Sequence, residues 1–227
     1  MPLKDILRRV NSKLIYGCWE SWHPGDYISF RAFDFYRCIF IHIPKAAGTS
    51  VSKTLFGNAG AAHTKLTYFE KLYAEKTFRS YFKFTFVRNP YDRIFSAYNY
   101  LKKGGGNIHD KKFSDEHLSG IQSFEAFVLE YLNETTMHAY VHLLPQVEFL
   151  KKKDGTMGVD FIGRYESLDR DFNVVRKRLG ITRDLSHDNP TTSRNVHYSK
   201  SFTDEMRRKI YLIYNEDFRE LQYPEDI

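Results

Sequence analysis

The chain has 227 residues, 42% of them hydrophobic and 16% aromatic, with a net charge of +6 at neutral pH and two cysteines, Cys18 and Cys38. That is enough chain to bury one core unaided, and the cysteine spacing excludes a disulfide framework or a CxxC zinc site. A mean hydropathy of −0.52 with a pI near 9.1 excludes a membrane-embedded protein and favours anionic partners, but the basic residues are dispersed and no RNP, zinc-finger or basic-zipper pattern of a nucleic-acid binder accompanies them.

Leu3, Ile6, Leu7, Val10 and Leu14 fall at helical spacing among Lys4, Asp5, Arg8, Arg9 and Lys13. This predicts a helix docked on the domain, with a basic membrane-surface helix as the alternative, rather than a signal peptide or membrane anchor, because no apolar stretch is uninterrupted. Residues 1–36 are read as an extension packed on a single domain spanning 1–227. Residues 37–43 (RCIFIHI) are short, apolar and β-branched, and predict a buried strand. A loop at 44–50 leads to apolar residues at helical spacing over 51–56, with Thr49 or Ser50 as cap. A crossover helix is expected at 66–74. Residues 81–87 (YFKFTFV) alternate like a strand, and Pro90 opens a helix with Tyr91, Ile94, Phe95, Tyr98 and Leu101 on one face. Two strand–helix units in succession predict an α/β fold with a central parallel sheet.

Residues 102–120 are polar and contain Gly104-Gly105-Gly106, which predicts a long flexible loop of the kind that forms a lid. Helices are expected at 123–132 and on through Leu144, a strand at 159–163, a helix at 168–179 ending near Gly180, and a polar loop at 186–199. A last helix at 203–221 follows, capped by Thr203 or Asp204.

Two junctions carry chemistry. At the first, successive N–H groups open a helix behind Lys45 and Gly48, with hydroxyls on Thr49 and Ser50, the makings of an anion site. A nucleotide triphosphate P-loop has its lysine between the last glycine and the Ser/Thr, whereas Lys45 precedes Gly48 by three, which weakens a kinase reading. At the second, Arg88 ends a strand and Ser96 lies in the following helix, a guanidinium fork and a hydroxyl suited to a second phosphate; Arg88 alone could instead pair with Asp92. Two anion sites at the carboxyl ends of neighbouring strands fit a ligand with two separated phosphates. A kinase and a non-enzymatic module binding acidic polymers are the rival readings.

His42-Ile43-Pro44-Lys45-Ala46-Ala47-Gly48-Thr49-Ser50 resembles the 5′-phosphosulfate loop of the sulfotransferase family that includes the heparan-sulfate 2-O-sulfotransferases and bacterial carbohydrate sulfotransferases. Phe86-Val87-Arg88-Asn89-Pro90-Tyr91-Asp92-Arg93 through Ser96-Ala97-Tyr98 is similar to that family's 3′-phosphate motif. Segments 142–146, 160–166 and 214–218 resemble later family segments, so the likeness covers roughly 37–222. It departs at Ala46, where threonine is frequent, and in lacking the membrane anchor of the Golgi enzymes.

The resemblance implies a P-loop-like three-layer fold with a central parallel sheet flanked by helices, and 3′-phosphoadenosine 5′-phosphosulfate (PAPS) as cosubstrate with PAP as product. It implies no required metal and a saccharide or small hydroxylated acceptor; the dispersed basic residues argue against a nucleic-acid partner, and the low cysteine count with the missing anchor points to a bacterial-type cytoplasmic setting. Lys45, Ala47, Gly48, Thr49 and Ser50 would hold the 5′ end, with Lys45 neutralising the leaving phosphate, and Arg88 and Ser96 the 3′-phosphate. From composition and position alone, Ser193 and Arg194 in the polar loop before the last helix could close over the nucleotide. Sulfuryl transfer needs a base for the acceptor hydroxyl, and histidine suits that task. His63 stands in a segment resembling the region where related enzymes keep their catalytic histidine, and His142 is the second candidate. His138 and His142, four apart, would share a helix face, but no third ligand stands at a metal-site spacing.

Overall fold

In this computed structural model the described residues are 30–57, 62–185 and 202–225. The helix expected near the start of the chain, Cys18 and the polar loop with Ser193 and Arg194 lie outside them. Two compact units are formed, one from the chain up to Val87 with Glu148–Asn189, the other from Arg88–Val147 with the chain from Pro190 onward.

The first unit is built on three parallel strands, β1 (Cys38–Ile41), β2 (Phe82–Val87) and β3 (Phe161–Arg164), paired in that order. The result is a mixed α/β fold with a parallel sheet flanked by helices, as the strand–helix pattern predicts. β1 is buried throughout, and β2 is buried from Lys83 to Val87 rather than on alternate residues, because both faces of a central parallel strand are covered. The inward Lys83 is matched by Asp160, whose carboxylate lies 2.9 Å from its ammonium and accepts its backbone N–H at 2.7 Å. The expected crossover helix is two short ones, Leu66–Leu72 and Glu75–Ser80, because Tyr73 and Ala74 between them are extended. Helix Gly48–Phe56 follows β1, and helix Leu168–Arg178 follows β3 and stops before Gly180, whose φ is +69°. Phe33 packs edge-on against Phe56 at 5.3 Å and tilted against Phe69 at 5.9 Å, forming part of the core.

The second unit centres on helix Pro90–Lys102. Asn89 caps it by accepting the Tyr91 N–H at 3.0 Å, and Pro90 occupies the first turn, where no N–H is needed. Tyr91, Ile94, Tyr98 and Leu101 are buried as the periodicity requires, while Phe95 is half-buried against Phe124. The flexible loop expected at 102–120 is corrected to a short turn through left-handed Gly104 and Gly105, then helix Ile108–Phe113 and a π-helical turn, Ser114–Leu118. The helical stretch expected on through Leu144 also breaks up: after Phe127–Tyr131, Asn133 accepts the N–H groups of Thr135 and Thr136, and this side-chain competition leaves turns. His138 and His142 therefore do not share one helix. The last helix divides at Tyr214 into Asp204–Ile213 and Asn215–Glu220, with Thr203 accepting the Met206 N–H as cap. Among the described residues no helix is long and apolar enough to cross a membrane.

Candidate functional site

The loop after β1 departs from ordinary helix-start geometry. Lys45 and Ala47 both hold left-handed backbone, at φ 66° and 64°, and Ala47 is the N-cap residue with no side-chain cap. Neither Thr49 nor Ser50 serves as the expected cap; both lie in the first turn. Left-handed non-glycine residues store strain that the surroundings must hold in place. The first helical bond at this end is Val51 N–H to Ala47 C=O. The N–H groups of Gly48, Thr49 and Ser50 precede it and lie at the positive end of the helix dipole. Lys45, Ala47, Thr49 and Ser50 are half-buried, and Ala46 fills a buried position.

Gly48 is required here for space. A Cβ on it would lie 1.8 Å from Cδ2 and 2.2 Å from Nε2 of His42, whose ring occupies that position. His42 is buried, stacks on Phe40 at 5.9 Å, and meets the ring of His63 edge-on at 4.5 Å. His63 is half-buried, with Nδ1 3.1 Å from the carbonyl oxygen of His42. A carbonyl can only accept, so Nδ1 carries a hydrogen, which in the neutral ring leaves the lone pair on Nε2. Lys65, two residues on, pairs with Glu148 at 2.6 Å and tethers the segment just before the buried Leu66. Lys45, Ala47, Gly48, Thr49, Ser50 and His63 thus fall in the first unit, with His42 as the linking residue. Sequence reasoning missed His42 as a site residue, although it stands one residue past β1 and two beyond Phe40, on which its ring stacks.

Arg88 follows β2 directly and opens the second unit. It is buried and pairs through Nε with Asp92 at 2.6 Å, so the alternative left open for it is realised. Asp92 and the half-buried Ser96 are one helical turn apart on the same helix face. The backbone of Arg88 is gripped by a residue that sequence reasoning did not single out for a role. Gln146 accepts the Arg88 N–H at 2.9 Å and donates to its carbonyl at 2.8 Å. Buried Asp217 accepts the N–H groups of Gln146 and Val147, each at 2.9 Å, Arg93 donates to the carbonyls of His142 and Leu144, and Tyr214 donates to that of Leu143. The segments at 142–146 and 214–218 are thus scaffolding for the Arg88 peptide.

His142 is buried between Tyr100 and Tyr140, with ring centroids 5.0 and 5.4 Å away, and its Nδ1 is 3.8 Å from Asp110. Asp110 accepts the hydroxyls of Tyr100 and Tyr140 at 2.7 and 2.6 Å and the Gly106 N–H at 2.9 Å. Burial would raise its carboxyl, but these hydrogen bonds and His142 hold it below the usual range.

Known proteins give this geometry its context. Carbohydrate sulfotransferase 14 of Danio rerio is 26% identical over 229 residues, covering 84% of this chain and 61% of the relative. An uncharacterized protein of Archaeoglobus fulgidus is 30% identical over 111 residues, 49% of this chain and 78% of the relative. No solved structure matches significantly. The sequence model of the sulfotransferase family matches residues 29–224, a span that takes in the strained loop, the histidine pair and the Arg88 scaffold, and the chain therefore belongs to the sulfotransferase family.

Proposed function

We propose that the protein is an O-sulfotransferase that uses PAPS and delivers the sulfuryl group to a saccharide hydroxyl. The observation that carries this reading is His63, its Nδ1–H committed to a backbone carbonyl, one ring away from a strained loop that opens a helix. Family membership supports the reaction class, and the similarity to carbohydrate sulfotransferase 14 of Danio rerio supports a saccharide acceptor.

Each of the two residue sets, taken within its own unit, suits one end of such a donor. Lys45 and the N–H groups of Gly48, Thr49 and Ser50 supply cationic and hydrogen-bonding groups for the 5′-phosphate side, with Ala47 turning the backbone. Arg88, oriented through Nε by Asp92, and Ser96 supply a fork and a hydroxyl for the 3′-phosphate. When bound, the donor supplies a sulfuryl group on a phosphate leaving group. His63 accepts the acceptor hydroxyl's proton at Nε2 as the new oxygen–sulfur bond forms in line with the one that breaks. Lys45 offsets the charge left on the phosphate, a task that magnesium performs in phosphoryl transfer. His142, packed against two tyrosines and Asp110, is a positioning residue in this scheme.

The test is transfer from labelled PAPS to saccharides and to small alcohols, with PAP binding measured alongside. His63→Ala should lower turnover by about 10² to 10⁴ with PAP affinity little changed, because base assistance acts only in the transition state. Activity should fall towards acid pH, since only neutral imidazole takes a proton. Near-normal turnover in His63→Ala would remove it as the base, and transfer confined to small alcohols would remove the saccharide.

A further inference from the structure

The carboxyl end of β1 carries the loop described above. At the opposite end of the sheet, where the three strands begin, the first unit holds a cleft of about 600 Å³, lined by residues that include Tyr36, Arg37, Arg79, Tyr81, Phe82 and Arg178. Arg37 immediately precedes β1, and Phe82 is the first residue of β2. The four residues of β1, at roughly 3.3 Å each, separate this cleft from the segment leading to the loop.

Two features make the cleft more than a surface depression. The guanidinium of Arg37 lies 6.0 Å from the ring centroid of Tyr81, and that of Arg178 lies 5.3 Å from the ring centroid of Phe82. Stacking on a ring holds a guanidinium plane and leaves its N–H edges for hydrogen bonds. Among the described residues neither arginine has a carboxylate partner; Asp160, the acid in the lining, is taken by Lys83, and Arg79 is paired with Glu75. Arg37 also holds left-handed backbone at φ 51°, a strained position for a residue with a side chain, at the point where the preceding helix turns into β1.

Two guanidinium edges presented beside aromatic rings suit an anion with several oxygens on a ring-shaped carrier, taken in bidentate pairs. The volume falls within the range of about 300–1,000 Å³ typical of small-ligand sites and admits a sugar residue. A saccharide that has received a sulfuryl group bears a sulfate ester, so the product of the reaction proposed above is itself an anion of this kind.

We propose that this cleft is a second, non-catalytic site that anchors an acidic stretch of glycan, with Arg37 and Arg178 taking its sulfate or carboxylate groups. The ligand class rests on the saccharide reading given above, but the test needs no turnover. A remote anchor of this kind raises the effective concentration of the same chain at the reacting end.

Calorimetry on the full chain saturated with PAP, using a heparin hexasaccharide, a neutral dextran oligosaccharide of equal length and inorganic sulfate, separates the sources of the anion. The double variant Arg37→Gln with Arg178→Gln should weaken the hexasaccharide about tenfold or more, leave PAP binding unchanged, and make the remaining affinity less sensitive to salt. Lys111→Gln with Lys112→Gln, exposed lysines that do not line the cleft, should have little effect. Undiminished hexasaccharide binding in the arginine variant would overturn the proposal, as would an equal loss in the lysine variant, which would make net charge the cause. Inorganic sulfate or dextran binding as tightly as the hexasaccharide would overturn the acidic-glycan assignment. Failure of the wild type to bind PAP would count against the donor reading alone.

Discussion

At the scale of single residues, Gly48 and His42 behave as one unit. The space where a Cβ would stand is filled by the His42 ring, and that ring in turn meets His63. Gly48→Ala should therefore destabilise the protein by about 1–3 kcal/mol through overpacking and disturb the His63 contact. Adding His42→Ala should recover part of that loss, a non-additivity read by denaturant unfolding of the four members of a double-mutant cycle. Strict additivity would mean that Gly48 is held for another reason. The presence of a glycine in this loop is legible in the sequence, but its cause is not. An anion site calls for close backbone approach, and only the folded chain reveals that a histidine just past the preceding strand claims the same volume. The left-handed Lys45 and Ala47 were equally hidden, because nothing in their identity favours positive φ.

At the scale of elements, the Arg88 turn owes its position to a partner far along the chain. Both polar groups of the Gln146 side chain are spent on the Arg88 peptide, and Asp217 fixes the Gln146 backbone from the last helix. Gln146→Leu removes both bonds to the Arg88 peptide, while Gln146→Glu keeps the acceptor and loses the donor. PAP affinity should fall roughly tenfold in the leucine variant and less in the glutamate variant, with an analogue lacking the 3′-phosphate little affected. Calorimetry on both ligands checks this; equal losses would show that Gln146 supports the fold generally rather than positioning Arg88. Strands β1 and β2 and helix Pro90–Lys102 were readable because their apolar runs and the proline act locally. The segment at 102–120 was misread because its order depends on Asp110 collecting Tyr100 and Tyr140, one of them thirty residues away, and a polar stretch gives no local sign of such partners.

At the scale of the whole molecule, three buried carboxylates shape stability against pH with opposite signs. Asp110 and Asp171 are each pushed up by burial, but hydrogen bonds, with His142 beside Asp110 and Arg170 beside Asp171, outweigh this and hold both below the usual carboxylate range. A lowered folded-state value means that their stabilisation is present above the unfolded value, about 3.9, and is lost as pH falls through the folded one. Asp217 is raised, chiefly by burial and against the pull of Arg93. Its contribution runs the other way, complete below about 3.9 and lost as pH rises through the raised value. Stability should consequently rise as pH is lowered through the raised value of Asp217 and then fall below about 4, each group contributing a slope of at most about 1.4 kcal/mol per pH unit. Asp217→Asn should abolish the rise, and Asp110→Asn should flatten part of the fall. Denaturant unfolding at a series of pH values reads both from the slope rather than from the absolute stability, which either substitution also lowers. An unchanged limb above pH 4 in Asp217→Asn would show that this carboxyl titrates in the folded chain as it does in the unfolded one, the N–H groups of Gln146 and Val147 then offsetting the cost of burying its charge.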